Sequence, residues 1–349
     1  ADDQLDNALA DFTAALDLGG PTAERHELRA SAHYLSENYE AAIADWSAAI
    51  DLYPTPEQAP IRLFRNRGTV HYTLENDDQA LSDFNRVIFR EPDDPETHNN
   101  RGLVHLRNNR FEDALADFTD AIDLRPDYTD AYRNRSITHY IQGEFAASID
   151  DIDLVIATAP DNLPDWQRRA TAHFYLGNFQ QAIDDYTHVI DLDPAFTDAY
   201  INRGNAYLQL DNIDAALSDF NTAIDTAPDN ALPYINRGNA YTALERFEEA
   251  IADYTTAADL SPENPDVLFN RAVASIQSGE LTTALADLET ALDLTEDVDT
   301  QAQITNLIDA INASGTVQRG PSIDASELDQ FYFGGGFENM YSESPFGGD

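Results

Sequence analysis

The stretch AYINRGNAYLQLDNIDAALSDFNTAIDTAP, residues 199–228, carries the pattern that decides the fold. Its apolar residues recur every three or four positions in two short segments, which predicts two helices joined by a turn. Gly204, Ala216 and Ala223 are small, so the two helices can approach closely. Phe220 is then expected to fill the seam with the neighbouring unit. Helices this short bury too little surface as an isolated pair, so they require stacking against further copies.

Near-copies of this stretch recur along most of the chain of 349 residues. An aspartate in each second helix recurs every 34 residues, with one interval of 38, at Asp11, Asp45, Asp83, Asp117, Asp151, Asp185, Asp219, Asp253 and Asp287. An arginine in the first helix keeps step with it, at Arg29, Arg67, Arg101, Arg135, Arg169, Arg203, Arg237 and Arg271. Prolines close most units. The spacing predicts an array of helix pairs.

The pattern NRGNAY…A…DF..AI…P resembles the tetratricopeptide repeat (TPR) in its common bacterial form. The resemblance covers eight full units, at 21–54, 55–92 (with a four-residue insertion), 93–126, 127–160, 161–194, 195–228, 229–262 and 263–296. It implies an all-α fold, a right-handed α-solenoid of antiparallel helix pairs, with a concave groove that binds peptides or proteins. It implies no catalysis. In unit 127–160, Ser136, Ser148 and Ile152 replace the usual small and aromatic residues, which predicts looser packing.

The charge of the chain excludes several classes of partner. Sixty-four acidic residues face 20 basic ones, all of them arginine, and the formal net charge is −44. Such a surface repels nucleic acid and anionic membranes. It also repels itself, so salt or divalent cations such as calcium are expected to favour the folded or assembled protein. The chain has no cysteine, hence no thiolate nucleophile or thiolate metal site.

No run of about 18 apolar residues occurs, so no membrane insertion is predicted. The first residue is Ala1 rather than Met, which favours a processed N-terminus and an extracellular or cell-surface location, with the cytoplasm as the alternative. No phosphate loop or catalytic motif is present in the sequence. We therefore expect a protein that is not an enzyme and has no cofactor.

Two repeated sets of side chains imitate functional sites. The arginines and aspartates are interpreted as ties between the paired helices rather than as a track for a charged ligand. The five histidines at equal repeat positions are interpreted as an aromatic packing position, because Tyr207 and Tyr241 replace them in later units; they are His33, His71, His105, His139 and His173. The axes of neighbouring helices lie about 8–10 Å apart, whereas each ligand nitrogen must lie within about 2.1 Å of the same zinc ion. No metal site is predicted.

A ligand groove is predicted on the first helices. The residues expected to face it combine guanidinium groups and aromatic rings, and they are Arg65, Tyr72, Arg107, Arg133, Tyr140, Phe174 and Tyr175. This mixture suits an acidic, aromatic peptide, and a surface without a dedicated ligand is the alternative. Asn134 and Asn312 begin Asn-x-Ser sequons, and Asn312 is the better candidate for glycosylation because Asn134 belongs to the repeat motif.

The two ends of the array are half-units. Residues 1–20 form a second helix with an apolar surface made by Leu5, Leu9, Phe12 and Leu16. Residues 297–315 form a further helix with an apolar stripe made by Ile304, Leu307, Ile308 and Ile311. If the last helix of one molecule docks on the first helix of the next, they build a composite repeat with Asp11 or Asp287 unpaired at the junction. A solvating cap is the alternative, and ITNLIDAI lacks the Asn-Arg-Gly triplet.

The tail, residues 316–349, is rich in glycine and carries seven large apolar residues, Phe331, Tyr332, Phe333, Phe337, Met340, Tyr341 and Phe346. It is expected to bind its own groove or that of a neighbour. The favoured hypothesis is a structural protein that self-assembles head to tail through its half-repeats and tail, as an extracellular filament. The alternative is a monomeric adaptor that binds the peptide of a partner in its groove.

Overall fold

The computed structural model describes residues 2–313 of the chain. Within those residues it contains eighteen α-helices, one short 3-10 helix and no strand. The chain divides into two units, Ala1–Pro160 and Asp161–Asp349. The predicted all-α fold of paired helices is confirmed, and none of the described helices is long and apolar enough to cross a membrane.

The first unit contains nine α-helices. They are α1 Asp2–Gly19, α2 Ala23–Leu35, α3 Tyr39–Asp51, α4 Ile61–Thr73, α5 Asp77–Arg90, α6 Pro95–Arg107, α7 Phe111–Leu124, α8 Thr129–Ile141 and α9 Phe145–Thr158. Helices α2 and α3 form the first pair, and each following even-numbered helix pairs with the next odd-numbered one. The four inserted residues lie around the 3-10 helix Pro56–Gln58. Helix α1 packs on α2 without a pairing partner of its own among the described residues.

The second unit repeats the arrangement. Its helices are α10 Leu163–Tyr175, α11 Phe179–Leu192, α12 Thr197–Gln209, α13 Ile213–Thr226, α14 Ala231–Ala243, α15 Phe247–Leu260, α16 Pro265–Ser278, α17 Leu281–Leu294 and α18 Val298–Ala313. Helices α10 to α17 form four pairs, and α18 packs on α17. Neighbouring first helices also contact each other, as α12 does with α14, so they form one continuous face in the unit.

Each turn between paired helices uses one residue with a left-handed backbone. In the pair α12–α13 this residue is Asp211, with φ of 57°. The amide of Asp211 donates to the carbonyl of Leu208, and the amide of Asn212 donates to that of Tyr207, which closes the last turn of α12. Asn212 then caps α13, because its side chain accepts from the amide of Ala215.

The seam between neighbouring helix pairs is filled as the sequence indicates. Phe220 is fully buried, and it packs with Ala216 of its own helix and with Ala240 of the following first helix. Gly204 lies over the ring, which leaves no space for a side chain there. The large aromatic residue and the small residue therefore depend on each other, and their contact sets the distance between paired helices.

The pair α8–α9 is not loosely packed, contrary to the expectation from its unusual residues. Ser136, Ser148 and Ile152 are all fully buried. The hydroxyl of Ser136 lies 2.9 Å from both the hydroxyl and the carbonyl oxygen of Ser148. A hydrogen-bonded serine pair thus replaces the usual contact between small residues, and Ile152 fills the place of the aromatic ring.

Candidate functional site

Charged ties join the two helices of every pair. The Nε and Nη2 groups of Arg203 donate to the two carboxylate oxygens of Asp219, each at 2.8 Å. The remaining Nη1 group donates to Thr187 of the preceding second helix at 2.9 Å. Asp219 is 5% exposed, so the bidentate pair is largely shielded from water. The same pairing joins Arg29 to Asp45, Arg67 to Asp83, Arg101 to Asp117, Arg135 to Asp151, Arg169 to Asp185, Arg237 to Asp253 and Arg271 to Asp287. The arginines and aspartates are therefore structural ties.

The ninth aspartate of the series, Asp11, stands apart. It is exposed on α1, and none of the described arginines forms an ion pair with it. Arg29, the arginine of the first pair, is bonded to Asp45; towards α1 it donates to Thr13 at 3.3 Å and interacts electrostatically with Asp17. Asp287 pairs with Arg271, so within residues 2–313 Asp11 is the aspartate of the series without an arginine.

The apolar side chains of α1 are only partly covered. Leu5, Leu9, Phe12 and Leu16 are half-buried, and Leu18 is 90% exposed. Four aromatic residues at the same repeat position as Phe12 are fully buried beneath a glycine of their own first helix; they are Phe84, Phe118, Phe220 and Tyr254. Phe12 therefore has the side chain of a seam residue, and none of the described first helices covers it as Gly204 covers Phe220.

Two leucines of the adjoining helix α2, Leu28 and Leu35, are also exposed, and the sequence reasoning missed them. In later pairs, the residues at the positions of Leu28 and Leu35 contact the preceding first helix. Asn134 donates to Asn99 at 2.9 Å, and Arg107 donates to the carbonyl of Tyr72 at the same distance. Leu28 and Leu35 are 45% and 64% exposed.

A signal for these residues was present in the sequence. The position of Leu28 is asparagine in six of the other units, at Asn66, Asn100, Asn134, Asn202, Asn236 and Asn270. Leucine there marks the first pair as different. We name the surface formed by Leu5, Leu9, Phe12, Leu28 and Leu35 the α1 end surface.

At the other end, α18 contributes less surface than its apolar stripe indicates. Ile304 and Ile311 are 0% and 5% exposed and belong to the core of the last helix pair. Leu307 and Ile308 are half-buried and pack against the same core. The arginine and glycine of the repeat are replaced by Thr305 and Asn306, so α18 lacks the groups that tie and cover a second helix.

The predicted groove residues of the first unit already have partners within the chain. Arg65 pairs with Glu91 at 3.1 Å and with Asp94 at 2.8 Å. Arg107 pairs with Asp77, and its guanidinium lies 4.1 Å from the centre of the Tyr72 ring. These contacts neutralise the charges that an acidic peptide was expected to meet.

The remaining groove residues also contact their own chain. Arg133 pairs with Asp130 at 2.8 Å, and Tyr140 packs edge-on against Phe145. In the second unit, Phe174 is 7% exposed and contacts both Tyr175 and Phe179. The side chains thus occupy separate clusters inside their units.

The histidine series behaves as a packing position in the first unit. His105 is 8% exposed, and burial lowers the pKa of both His71 and His105. The two sequon asparagines differ in exposure. Asn134 is half-buried and donates to Asn99, whereas Asn312 is exposed near the end of α18. The seven apolar residues predicted as tail anchors lie outside the described residues.

Comparisons with known proteins agree with this geometry. Models described as tetratricopeptide repeat match residues 65–127, 99–162 and 168–231, and a model described as TPR repeat matches residues 238–277. Together these matches cover more than half of the chain. No curated protein sequence matches it.

Solved structures share the fold at low sequence identity. The C-terminal part of a TPR repeat-containing protein from Cytophaga hutchinsonii is 16% identical, with a TM-score of 0.58; the match covers 69% of this chain and 97% of that one. A tetratricopeptide repeat protein from Parabacteroides merdae is 17% identical, with a TM-score of 0.50, over 75% of this chain and 98% of that one. The solved structures share the fold, and the repeat models that match more than half of the residues show that the chain belongs to the tetratricopeptide repeat family.

Proposed function

We propose that this chain is a non-catalytic protein-binding scaffold that associates with further copies of itself at the α1 end surface. One observation carries the proposal. Phe12 is half-exposed at a repeat position where Phe84, Phe118 and Phe220 are fully buried. Leu28 and Leu35 of the adjoining helix α2 are exposed, and residues at their repeat positions contact a preceding first helix at Asn134 and Arg107. Covering such side chains stabilises an interface by about 25 cal/mol per Å² of apolar area.

The proposed occupant is the C-terminal segment 316–349 of another copy. This segment supplies aromatic residues on both sides of three consecutive glycines, Phe331–Phe333 and Phe337 around residues 334–336. Aromatic side chains match the leucines of the α1 end surface, and glycines offer the small residue that a ring such as Phe12 requires. Helix α18 is a weaker candidate, because Ile304 and Ile311 are held in its own core.

Contact between one end of a molecule and the other end of the next is heterologous, so it builds open chains unless the rotation closes a ring. The net charge of −44 opposes such association. Because physiological salt shortens the screening length to about 8 Å, we expect longer assemblies as the salt concentration rises.

A monomeric adaptor that binds a peptide on its first-helix face is the second candidate. It is favoured less, because Arg65 and Arg107 are already paired with carboxylates of the chain. A peptide would have to displace these partners before it could use the same guanidinium groups.

The test is light scattering coupled to size-exclusion chromatography, over a range of protein and salt concentrations. The full chain is compared with a chain ending at residue 315 and with the double variant Leu28→Asn, Leu35→Thr. The new residues are those of the next unit, Asn66 and Thr73, so the fold should be retained. Phe89→Ser, which removes an aromatic residue that is 88% exposed elsewhere in the first unit, is the matched control.

We expect the full chain and the Phe89→Ser variant to assemble, and the other two proteins to remain monomeric. A full chain that stays monomeric at high salt and high concentration would overturn the self-association proposal. If the chain ending at 315 assembles as well as the full chain, the tail is not the occupant.

A further inference from the structure

His98 lies against two carboxylates at the start of α6, in an arrangement that the repeat does not require. Its Nε2 atom is 2.9 Å from the carbonyl oxygen of Pro92, and a carbonyl accepts only, so Nε2 carries a hydrogen. The other ring nitrogen, Nδ1, is 3.5 Å from Asp117 Oδ1 and 3.5 Å from Asp120 Oδ2. His98 is 5% exposed, and its Nδ1 is buried without a hydrogen-bond partner among the described residues.

A comparison within the chain shows that this separation is specific. His26 occupies the same repeat position in the first pair, and its Nδ1 lies 2.8 Å from Asp45 in a direct hydrogen bond. There the residue equivalent to Asp120 is Ala48, so only one carboxylate faces the ring. At His98 the distance to either carboxylate is too long for a hydrogen bond. Nδ1 of His98 and two carboxylate oxygens, one of them on the exposed Asp120, therefore lie close together without a direct hydrogen bond.

We propose that His98, Asp117 and Asp120 bind a divalent cation of the zinc class. Zinc bonds to imidazole nitrogen and carboxylate oxygen at about 2.0–2.2 Å, so tetrahedral ligand atoms lie about 3.4 Å apart. The two nitrogen-to-oxygen distances of 3.5 Å match this value, and the three donor atoms all lie within 4.8 Å of one another. Calcium and magnesium prefer oxygen ligands alone, so the imidazole selects against them.

The surroundings of the three residues resemble those of metal ligands. The hydrogen bond from Nε2 to the Pro92 carbonyl fixes the ring and directs the lone pair of Nδ1 towards the carboxylates. Arg101 donates to both oxygens of Asp117 and holds that carboxylate in place. His105 Nε2 lies 3.7 Å from Asp117 Oδ2, on the oxygen that does not face His98. The side chain of Asp120 is 58% exposed, which provides a path for the ion and for water as a fourth ligand.

The test is titration of the chelator-treated full chain with Zn²⁺ in physiological salt and excess Mg²⁺, which occupies sites made of carboxylates alone. Asp120→Ala and His98→Tyr remove one ligand each. Both substitutions copy other repeats of this chain. Ala48 stands at the repeat position of Asp120, and Tyr132 and Tyr200 stand at that of His98. Asp123→Ala is the control, because Asp123 is exposed on the same helix and its loss changes the net charge equally.

We expect one Zn²⁺ per chain to bind the original protein and the Asp123→Ala variant with equal affinity. The affinity of the other two variants should fall at least about tenfold. Substitution with Co²⁺ should give the visible absorption of a site with low coordination number, and that band should vanish in the Asp120→Ala variant. The proposal is overturned if the Asp120→Ala variant binds Zn²⁺ as tightly as the Asp123→Ala variant. It is also overturned if the original protein binds Zn²⁺ no more tightly than the weak binding that all variants share.

Discussion

Gly204 and Phe220 pack so closely that a β-carbon built on Gly204 lies 2.5 Å from Cε1 of the Phe220 ring. An alanine in a helix normally stabilises it by about 1 kcal/mol relative to glycine. Here the added methyl group must displace a fully buried ring, and overpacking of this kind costs about 1–3 kcal/mol. We expect Gly204→Ala to lower the urea midpoint of the second unit and to speed hydrogen exchange in α12 and α13.

The chain itself provides the compensating change. In the last pair, Ala272 takes the position of Gly204, and the fully buried Leu288 takes that of Phe220. Phe220→Leu added to Gly204→Ala should therefore recover part of the loss, giving a favourable coupling energy in a double-mutant cycle. Additive losses would show that the contact does not set the separation of the helices.

Replacing Arg203 with leucine should be the most damaging of these single changes. It leaves Asp219, 5% exposed, without either of its guanidinium bonds. Removing one partner of a buried ion pair typically costs about 3–5 kcal/mol. The double variant Arg203→Leu, Asp219→Asn removes the unpaired charge and should be more stable than the single variant. Hydrogen exchange of α12 and α13 measures both, and equal losses would contradict a role as a tie.

The serine pair of α8 and α9 should show the same asymmetry in a neutral contact. Ser136→Ala leaves the buried hydroxyl of Ser148 without its partner and should lower stability by about 1 kcal/mol. Ser136→Ala with Ser148→Ala recreates the combination at Ala170 and Ala182, and it should be nearly neutral. The urea midpoints of the three proteins test this. A double variant less stable than the Ser136→Ala variant would contradict the expected asymmetry.

His71 should make the helix pair α4–α5 less stable at mildly acidic pH. Burial lowers the pKa of this histidine, opposed by the carboxylate of Asp83 and assisted by Arg67. The unfolded chain binds a proton near pH 6.5, whereas the folded chain binds it only at lower pH. The stabilisation is therefore fully present above about pH 6.5 and is lost as the pH falls towards the folded pKa.

His71→Tyr places the residue of Tyr207 and Tyr241 at that position, and it should reduce the loss of stability between about pH 7.5 and pH 5.5. Amide exchange in α4 is the measurement, and α12, which has Tyr207 at the same position, is the internal reference. An unchanged pH dependence in the variant would assign the effect to other groups.

Local periodicity was sufficient to predict the helix pairs, because each helix buries one stripe that recurs every 34 residues. The contact of Gly204 with Phe220 and the pairing of Arg203 with Asp219 follow from the same repeat. The left-handed turn residues were harder to predict. Glycine marks three of them, but Glu37, Glu75, Asn109, Asp211 and Glu245 adopt the same backbone without it.

The candidate sites depend on exceptions to the repeat. Leu28 and Leu35 can be recognised as part of a surface only once the structure shows that their repeat positions contact a preceding first helix. His98 and Asp120 are separated by a turn and lie on different helices, and neither belongs to a repeated series. The groove residues follow from the helix face on which each side chain lies. The sequence could not show that Arg65 and Arg107 pair with carboxylates of the chain itself.

The regular placement of one arginine in each tie, in a chain without lysine, also makes the protein report on its own opening. Trypsin can cleave only after arginine, and the tie arginines are held against buried aspartates by two bonds each. Cleavage after one of them requires that its helix pair first separate, so its rate follows the free energy of that opening. Only eight of the 20 arginines belong to ties, so the fragments of a timed digest that end at those eight, read by mass, would rank the repeats by local stability without any label.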